Sequence, residues 1–249
     1  MAEHILVVAG EASGDRALAG IVRLLGRRAF GLGGDALARE GVEIVTHVRE
    51  LGGMGVVEAA SRAPAIALAL GRLATTIARV RPRLALLASW SATNARLAAV
   101  LQRAGVRVVW VSPPEIWAWR ASRARRIAGM VDLLIPTLPF EEALWRSAGG
   151  NAHFVGHPVV DVPLQSGEGA GLAVMPGSRS SEIARLLPMF VEAAKRSGKP
   201  ARLILAPSLD PRSRDEVLSA GLPVVEAPDG AAPLLNAFDV ALVASGTAA

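Results

Sequence analysis

The chain contains no cysteine and no tyrosine, and its 249 residues include only five phenylalanines, five tryptophans and four histidines. Without cysteine there can be no disulfide and no thiolate metal site, and four scattered histidines do not predict a metal cluster. We therefore expect chemistry that needs neither metal nor cofactor. Because aromatic rings are so scarce in a sequence that is 51% hydrophobic, the core should consist mainly of Ala, Leu and Val.

Long apolar runs are also missing. No stretch reaches the roughly 18 residues that a membrane span needs, and the closest, residues 63–71, is flanked by Arg62 and Arg72. The apolar run at the N-terminus follows no basic segment and is interrupted by Glu11, which does not fit a signal peptide. The sequence predicts a cytoplasmic protein that does not cross a bilayer.

Positive charge is in modest excess. The net charge is +5, and four arginines cluster at Arg120, Arg123, Arg125 and Arg126. Such a cluster favours anionic partners, either phosphates or acidic lipid headgroups, although a solvated helix face is the alternative. No known nucleic-acid-binding module accompanies the charge, so we expect no nucleic-acid partner.

Apolar runs with the length of strands alternate with helical patterns from the start of the chain. Helices are predicted at Asp15–Arg27 and Thr93–Arg103. This alternation is typical of βαβ units and predicts an α/β fold with a parallel sheet. The predicted strands are Ile5–Ala9, Ala29–Gly31, Ile44–Val45, Leu84–Ala88, Arg107–Val111, Leu133–Ile135 and His153–Val155.

Residues 158–170 are rich in Pro and Gly without periodicity, which predicts a linker. The alternation then restarts, so we expect two Rossmann-like domains, residues 1–157 and 171–249, facing a cleft. The second has only about 80 residues, and its last strand is followed by a turn alone, which predicts an incomplete domain in a truncated chain. Its predicted strands are Leu172–Met175, Arg202–Ala206, Val224–Glu226 and Val240–Ala244. Its predicted helices are Ser181–Ser197, Pro211–Ala220 and Ala231–Ala237.

The most distinctive segment is residues 112–120, SPPEIWAWR, which follows the predicted strand Arg107–Val111. Open α/β sheets bind ligands at the carboxyl ends of their strands, and two consecutive prolines make this loop stiff. Trp117 and Trp119 could present apolar faces to a sugar or an acyl chain, with Arg120 binding phosphate. Alternatively, both tryptophans plug the seam between loop and sheet.

Residues 10–15, GEASGD, join the first predicted strand to the first helix. This is not the G-x-G-x-x-G pattern, and its two acids would repel a pyrophosphate. The motif instead fits a ligand with hydroxyl groups, with Glu11 as hydrogen-bond acceptor or general base. Helix capping by Ser13 or Asp15 explains part of the motif without any ligand, but it does not explain Glu11.

Residues 175–182, MPGSRSSE, occupy the corresponding place in the second domain. Gly177 allows close approach to a ligand, Ser178 and the amides after it could hold phosphate oxygens, and Arg179 could neutralise a diphosphate. Glu182 could bind ribose hydroxyls or close a capping box. A similar small-residue turn follows the last predicted strand, at Ser245, Gly246 and Thr247.

A glycine-rich segment, residues 51–58, precedes a helical region at residues 59–70. Its Met54 and Val57 could rest on a membrane surface or contact an acyl chain. The alternative is that these side chains are ordinary core.

Taken together and in this order, the motifs resemble the lipid-A-disaccharide synthase family, bacterial glycosyltransferases of family 19 with a GT-B fold. The SPPEIWAWR and PGSR segments are specific to that family. The matching stretches are Val8–Asp15, Met54–Glu58, Val111–Arg120, Leu138–Glu141, Phe154–His157, Pro176–Arg179 with Glu182, and Ala244–Ala249.

The resemblance implies that the 6′-hydroxyl of 2,3-diacylglucosamine 1-phosphate (lipid X) attacks C1 of UDP-2,3-diacylglucosamine. UDP leaves with inversion, without metal, at the inner face of the cytoplasmic membrane, to which the protein would bind peripherally. Residues 1–157 would bind the acceptor, with Glu11 catalytic, and residues 171–249 the UDP-sugar. The implied acceptor and lipid contacts are Ser13, Gly14, Asp15, Met54, Val57, Glu58, Trp117, Trp119 and Arg120. The implied UDP-sugar contacts are Gly177, Ser178, Arg179, Glu182, Ser245, Gly246 and Thr247.

The chain departs from the family at the strand Leu84–Ala88, which an Asp-x-Pro-Asp-like segment usually follows. Here the sequence reads Ser89-Trp90-Ser91-Ala92, so both acids are absent, including a candidate general base. The family also continues beyond the position of Ala249. A relative that binds acylated glucosamine phosphates without catalysis is therefore the alternative, and another GT-B enzyme, such as a UDP-N-acetylglucosamine epimerase, is a weaker one.

Overall fold

The computed structural model describes residues 4–51, 63–118, 121–161, 169–207, 209–228 and 230–244. These residues form two compact units, the first ending at Pro158 and the second beginning at Val159. Each unit is built on a parallel β-sheet. The predicted α/β class is therefore confirmed in both units.

The first unit contains a six-stranded sheet in the order β3-β2-β1-β4-β5-β6, and every adjacent pair is parallel. All five residues of the central strand β1 are buried, because helices cover both faces of such a sheet and leave it nowhere to meet water. The strands are β1 (Ile5–Ala9), β2 (Ala29–Gly33), β3 (Glu43–His47), β4 (Leu84–Ala88), β5 (Arg107–Val111) and β6 (Leu133–Ile135).

In the described residues of the first unit, seven α-helices lie between or after these strands. The first ends where Gly26 takes a left-handed conformation and donates its N–H to the carbonyl of Val22, the usual glycine cap. The helices are α1 (Ala12–Leu25), α2 (Asp35–Arg39), α3 (Val48–Leu51), α4 (Ala63–Val80), α5 (Ser91–Arg103), α6 (Ala124–Ala128) and α7 (Pro139–Ser147). None of the helices in the described part of the chain is long and apolar enough to cross a membrane.

The second unit contains a four-stranded parallel sheet in the order β10-β7-β8-β9. Its core packs helix α8 against β7 and β8, through Ile183, Phe190, Val174 and Leu203. The strands are β7 (Leu172–Met175), β8 (Ala201–Leu205), β9 (Val224–Glu226) and β10 (Val240–Val243). The helices are α8 (Ser180–Arg196), α9 (Pro211–Leu218) and a 3-10 helix at Ala232–Ala237.

Two sequence predictions about elements are wrong. His153–Val155 is not a strand; only Ala152 forms an isolated bridge, to Leu134. The segment predicted as a helix at Ala231–Ala237 is a 3-10 helix at Ala232–Ala237, the form that short helical pieces often take. Of the helical region predicted at residues 59–70, the described part starts at Ala63, and the helix there continues to Val80.

Candidate functional site

The strand order of the first unit places the loops after β1 and β4 side by side. The chain runs outward from β1 through β2 to β3, then returns to β4 and runs outward in the other direction. At such a switch point the two loops diverge and leave a crevice at the carboxyl edge, where ligands of this fold bind. The loops here are Gly10–Glu11 after β1 and Ser89–Trp90 after β4.

These two loops are in direct contact. A Cβ atom on Gly10 would lie 2.3 Å from Cγ of Trp90, and one on Gly14 would lie 3.0 Å from Oγ of Ser89. Trp90 itself is buried. Glycine at position 10 is therefore required by the indole beside it, and the crevice has a tryptophan in its wall.

The backbone at this edge is held in an uncommon conformation. Ser89, Trp90 and Ser112 have φ values of 52°, 49° and 51°, a region that costs non-glycine residues about 1–3 kcal/mol each and is frequent at functional sites. The fully buried Asn94 supports the turn, because its Nδ2 donates to the carbonyls of Ala88 and Ser89 at 3.1 and 2.8 Å. Ser112 donates its N–H to Ile135, which ties the loop after β5 to β6.

Glu11 and Asp15 have different surroundings. Glu11 is the N-cap residue of α1, its backbone is extended, and its half-buried side chain caps no amide of that helix. Asp15 is buried, and its carboxylate accepts the N–H groups of Gly34 at 2.5 Å and Ala36 at 2.9 Å. Asp15 thus fixes the start of α2, and both of its carboxylate oxygens are engaged there.

The capping alternative for Ser13 and Asp15 is also wrong. Helix α1 begins at Ala12, earlier than predicted, so both residues lie inside its first turn. Ser13 remains half-buried at the same edge as Glu11. Within residues 10–15, the side chain of Asp15 is explained by its contacts at the start of α2, whereas those of Glu11 and Ser13 are not explained by capping of a helix.

Trp117 lies in a turn after β5 and is 51% exposed, so the alternative that it plugs a seam is wrong for this residue. Its Nε1 donates to Oε1 of Glu141 at 3.0 Å. Its ring meets that of Phe140 edge-on, with centroids 5.5 Å apart and planes at 74°. The first unit therefore presents an anchored, half-exposed indole at the carboxyl edge of its sheet.

In the second unit, the loop after β7 is shaped by Gly177 and Glu182. Gly177 has a φ of 123°, and a Cβ there would lie 2.4 Å from Oε2 of Glu182. That same oxygen accepts the N–H groups of Ser178 at 3.0 Å and Arg179 at 3.3 Å, and Oε1 pairs with the Arg179 guanidinium at 3.0 Å. Glu182 therefore closes the capping box.

This geometry corrects one prediction about phosphate binding. Of the amides after Ser178, which are predicted to hold phosphate oxygens, that of Arg179 already donates to the Glu182 carboxylate, as does the amide of Ser178 itself. The carboxylate takes the place that an anion would take at the start of α8. The hydroxyl of Ser178 and the guanidinium of Arg179 are the side-chain groups of this loop whose chemistry suits a diphosphate.

Asp210 ties this loop to the next one in the second unit. Its Oδ2 accepts the hydroxyls of Ser180 at 2.6 Å and Ser213 at 2.7 Å, and its Oδ1 accepts the N–H of Ser213 at 3.1 Å. The hydroxyl of Ser180, then that of Ser213, lowers the pKa of Asp210 to about 2. Since Ser180 directly follows Arg179, Asp210 holds the base of the candidate diphosphate loop.

Several predicted site residues lie outside the described part of the chain. They are Met54, Val57, Glu58, Trp119, Arg120, Ser245, Gly246 and Thr247.

No group of three or more His, Asp or Glu side chains in the described ranges is arranged to hold a metal ion.

Three residues that shape these edges have no role predicted from the sequence: Asn94, Glu141 and Asp210. The pattern of Pro139 followed by Glu141 does signal a helix start. The contact of Glu141 with Trp117 joins residues 24 positions apart, and no local pattern reveals it. For Asn94, a short polar side chain just after a strand is the available signal.

Solved structures similar to this chain define its fold class. The S. aureus MnaA–UDP co-structure matches 98% of this chain and 74% of its own, with a TM-score of 0.65 at 13% identity. A putative UDP-N-acetylglucosamine 2-epimerase from Listeria monocytogenes matches 99% and 75%, with a TM-score of 0.64 at 13% identity. The fold is therefore that of the GT-B class.

Sequence comparison then gives the family. The family model described as lipid-A-disaccharide synthetase matches residues 5–249. The lipid-A-disaccharide synthase of Myxococcus xanthus is 41% identical over 98% of this chain and 70% of its own length, and that of Anaeromyxobacter sp. (strain K) is 39% identical over 99% and 71%. The chain belongs to the lipid-A-disaccharide synthetase family, and the expected resemblance is confirmed.

Proposed function

We propose that this chain is an inverting glycosyltransferase of lipid A biosynthesis that joins UDP-2,3-diacylglucosamine to 2,3-diacylglucosamine 1-phosphate and releases UDP. The observation that carries the proposal is the family match across residues 5–249, which includes both loops at the carboxyl edges of the two sheets. The TM-scores support the GT-B fold alone and do not separate a transferase from an epimerase.

The second unit would bind the UDP portion of the donor. Gly177 gives the loop after β7 its left-handed turn, Ser178 offers a hydroxyl, and the guanidinium group of Arg179 would bind the diphosphate. Glu182 orients that guanidinium group, since its Oε1 lies 3.0 Å from Nη1 of Arg179. By the family resemblance, Ser245, Gly246 and Thr247 would complete this donor site.

The first unit would bind the acylated acceptor. The 6′-hydroxyl of the acceptor attacks C1 of the donor sugar, and its proton passes to Glu11 as the C1–O bond to UDP breaks. Ser13 and the backbone at Gly14 would contact the acceptor beside Glu11. Trp117 would pack its exposed face on the sugar or an acyl chain, together with the resemblance-based contacts Met54, Val57, Glu58, Trp119 and Arg120.

Binding at the cytoplasmic membrane surface follows from the nature of these substrates. Two diacylated glucosamines reside in a bilayer, so the protein must reach them at the interface. The exposed side chains of Arg123, Arg125 and Arg126 fit anionic headgroups, each contributing up to about 1 kcal/mol near such a surface. We therefore propose a peripheral association with the inner membrane.

Calorimetric titration with UDP tests the donor half of the proposal. Arg179→Ala should weaken UDP binding about tenfold or more, because charge-assisted hydrogen bonds to phosphate contribute roughly 1.5–3 kcal/mol. Arg196→Ala is the matched control, since Arg196 is an exposed arginine at the other end of α8, paired with Glu192. Equal UDP affinity in both variants would contradict the assignment of the loop.

A second candidate is a family member that binds acylated glucosamine phosphates without turnover. The observation that favours it is the sequence Ser89-Trp90-Ser91-Ala92, which provides no acid where the family usually has two. Loss of a general base typically lowers the rate about 10²–10⁴-fold. Substrate binding without UDP release would support this candidate.

A further inference from the structure

We propose that Glu141 is a positioning residue that fixes the indole of Trp117 for binding of the acylated glucosamine acceptor. This inference rests on the proposed function of the first unit. The sequence does not predict that Glu141 and Trp117 are in contact, since they lie 24 positions apart. They meet because the loop after β5 reaches the start of α7.

The hydrogen bond joins the indole N–H of the exposed Trp117, which donates, to the carboxylate of the buried Glu141, which accepts. Glu141 is 1% exposed, whereas Trp117 is 51% exposed. Trp117 Nε1 donates to Oε1 of Glu141 at 3.0 Å. The polar end of the indole is thus held inside while a large part of its apolar surface faces water, an arrangement that suits a ligand contact.

Phe140 fixes the ring in a second direction. Its ring meets Trp117 edge-on at 5.5 Å, and it is itself 48% exposed. Two contacts at different points of the indole leave it little freedom to rotate, so less conformational entropy is lost when a ligand binds. The two aromatic rings form one apolar surface.

A helix-capping role explains only half of what Glu141 does. Its Oε2 accepts the N–H of Leu138 at 3.1 Å, which caps α7. Capping leaves the other oxygen unassigned, and that oxygen receives the indole N–H. A glutamine at this position has one acceptor oxygen and one donor NH₂ group, so it would turn its NH₂ group toward one of the two N–H groups. Leu138 is fixed beside it at the start of the same helix, whereas Trp117 lies in an exposed turn. The contact that glutamine gives up is therefore the one with the indole.

The decisive experiment measures binding of 2,3-diacylglucosamine 1-phosphate in detergent to the full chain and to Glu141→Gln, Trp117→Phe and the double variant. Glu141→Gln should weaken acceptor binding about tenfold, the equivalent of one lost hydrogen bond, and leave UDP binding unchanged. In the Trp117→Phe background, Glu141→Gln should have no further effect on acceptor binding, because there is no indole N–H left to position.

Glu142→Gln is the matched control. Glu142 is the next residue of α7 and accepts the N–H of Phe154 at 2.6 Å while pairing with Arg146, so its loss costs stability without touching Trp117. An unchanged acceptor affinity in Glu142→Gln supports the proposal. Equal weakening in Glu141→Gln and Glu142→Gln would show a general effect of α7 and overturn it.

A spectroscopic readout makes the test independent of turnover. In ¹⁵N-labelled protein, the Trp117 indole N–H should exchange slowly with solvent and become fast-exchanging in Glu141→Gln. Fast exchange in the unmodified chain overturns the positioning role, as does an acceptor affinity unaffected by Trp117→Phe. Neither result bears on the proposed binding of UDP by the second unit, which the UDP titration of Arg179→Ala tests separately.

Discussion

Gly10 and Trp90 pack against each other at the switch point of the first sheet, where a Cβ on Gly10 would lie 2.3 Å from Cγ of the indole. This contact joins the loop that carries Glu11 to the loop that lacks the family's acids. A change at either residue should therefore be felt in both the stability of the unit and the geometry of the proposed acceptor site.

We predict that Gly10→Ala lowers the free energy of unfolding by about 1–3 kcal/mol, the usual cost of overpacking a core. Gly20→Ala, in the interior of α1 with no atom within 4 Å of the added Cβ, should instead be neutral or raise stability by about 0.5–1 kcal/mol. Urea unfolding of the two variants provides the comparison. Equal stabilities would mean that Trp90 can move aside at little cost.

Asp15→Asn should destabilise the first unit by about 1–3 kcal/mol, because an amide group cannot accept from Gly34 and Ala36 as both carboxylate oxygens do. Asp35→Asn serves as control, since its ion pairs with His47 and Arg49 are exposed and should be worth at most about 1 kcal/mol. Thermal unfolding measures both variants. A fully stable Asp15→Asn variant with lost acceptor binding would restore Asp15 as a ligand contact.

Replacing Ser89 by Asp should raise UDP release at least tenfold, because it adds a carboxylate where the family usually has one, beside the loop of Glu11. That gain is a part of the roughly 10²–10⁴ that general-base catalysis contributes, and Asp tolerates the left-handed backbone at this position. Ser91→Asp adds the same charge two residues away, on the exposed first residue of α5, and should leave the rate unchanged. Initial rates with both sugars provide the test. No change in Ser89→Asp would show that this position is not the base here.

Gly177→Ala should weaken UDP binding by tenfold or more, since its φ of 123° and the contact with Glu182 leave no room for a Cβ and the Arg179 fork would shift. Gly198→Ala imposes only a left-handed alanine, with φ 66° and open space around it, and costs about 1–2 kcal/mol of stability without affecting UDP. Titration calorimetry of the pair separates the two effects. UDP binding that survives in Gly177→Ala would argue against this loop as the diphosphate site.

The pH dependence of unfolding should report on Asp210. Its pKa is lowered from 3.8 to about 2 in the folded state, so its stabilising contribution is complete above the unfolded pKa and is lost as the pH falls from about 4 to about 2. The wild-type chain should therefore lose more stability in that window than Asp210→Asn does. Ser180→Ala should resemble Asp210→Asn in part. Parallel curves for all three chains would contradict the role of these hydrogen bonds.

Sequence patterns predicted most strands to within a residue or two, because a buried parallel strand such as Leu84–Ala88 reads as an unbroken apolar run. The start of α1 was misplaced because its N-cap is Glu11, which makes no side-chain cap, and the capping residue expected from the pattern lies inside the helix. His153–Val155 has the composition of a strand, but only Ala152 pairs with the sheet.

The candidate site was only partly predictable for a similar reason. The carboxyl ends of strands can be located from sequence, which identified the loops at Glu11 and Gly177. The capping box that Glu182 closes is a local contact, and the spacing of the sequence offers it as one of two interpretations. The carboxylate of Asp15 caps α2 instead, through residues 19 or more positions away in the chain. Local spacing does not reveal a contact of that kind.

The most direct test of the central claim is UDP release from UDP-2,3-diacylglucosamine and 2,3-diacylglucosamine 1-phosphate, in detergent and without added metal, by this chain beside Arg179→Ala. The account predicts that release requires both sugars and falls at least tenfold in the variant, since Arg179 contacts the leaving diphosphate. Acceptor binding without any release of UDP, from the wild-type chain as from the variant, would contradict it and leave a binding protein of the same family.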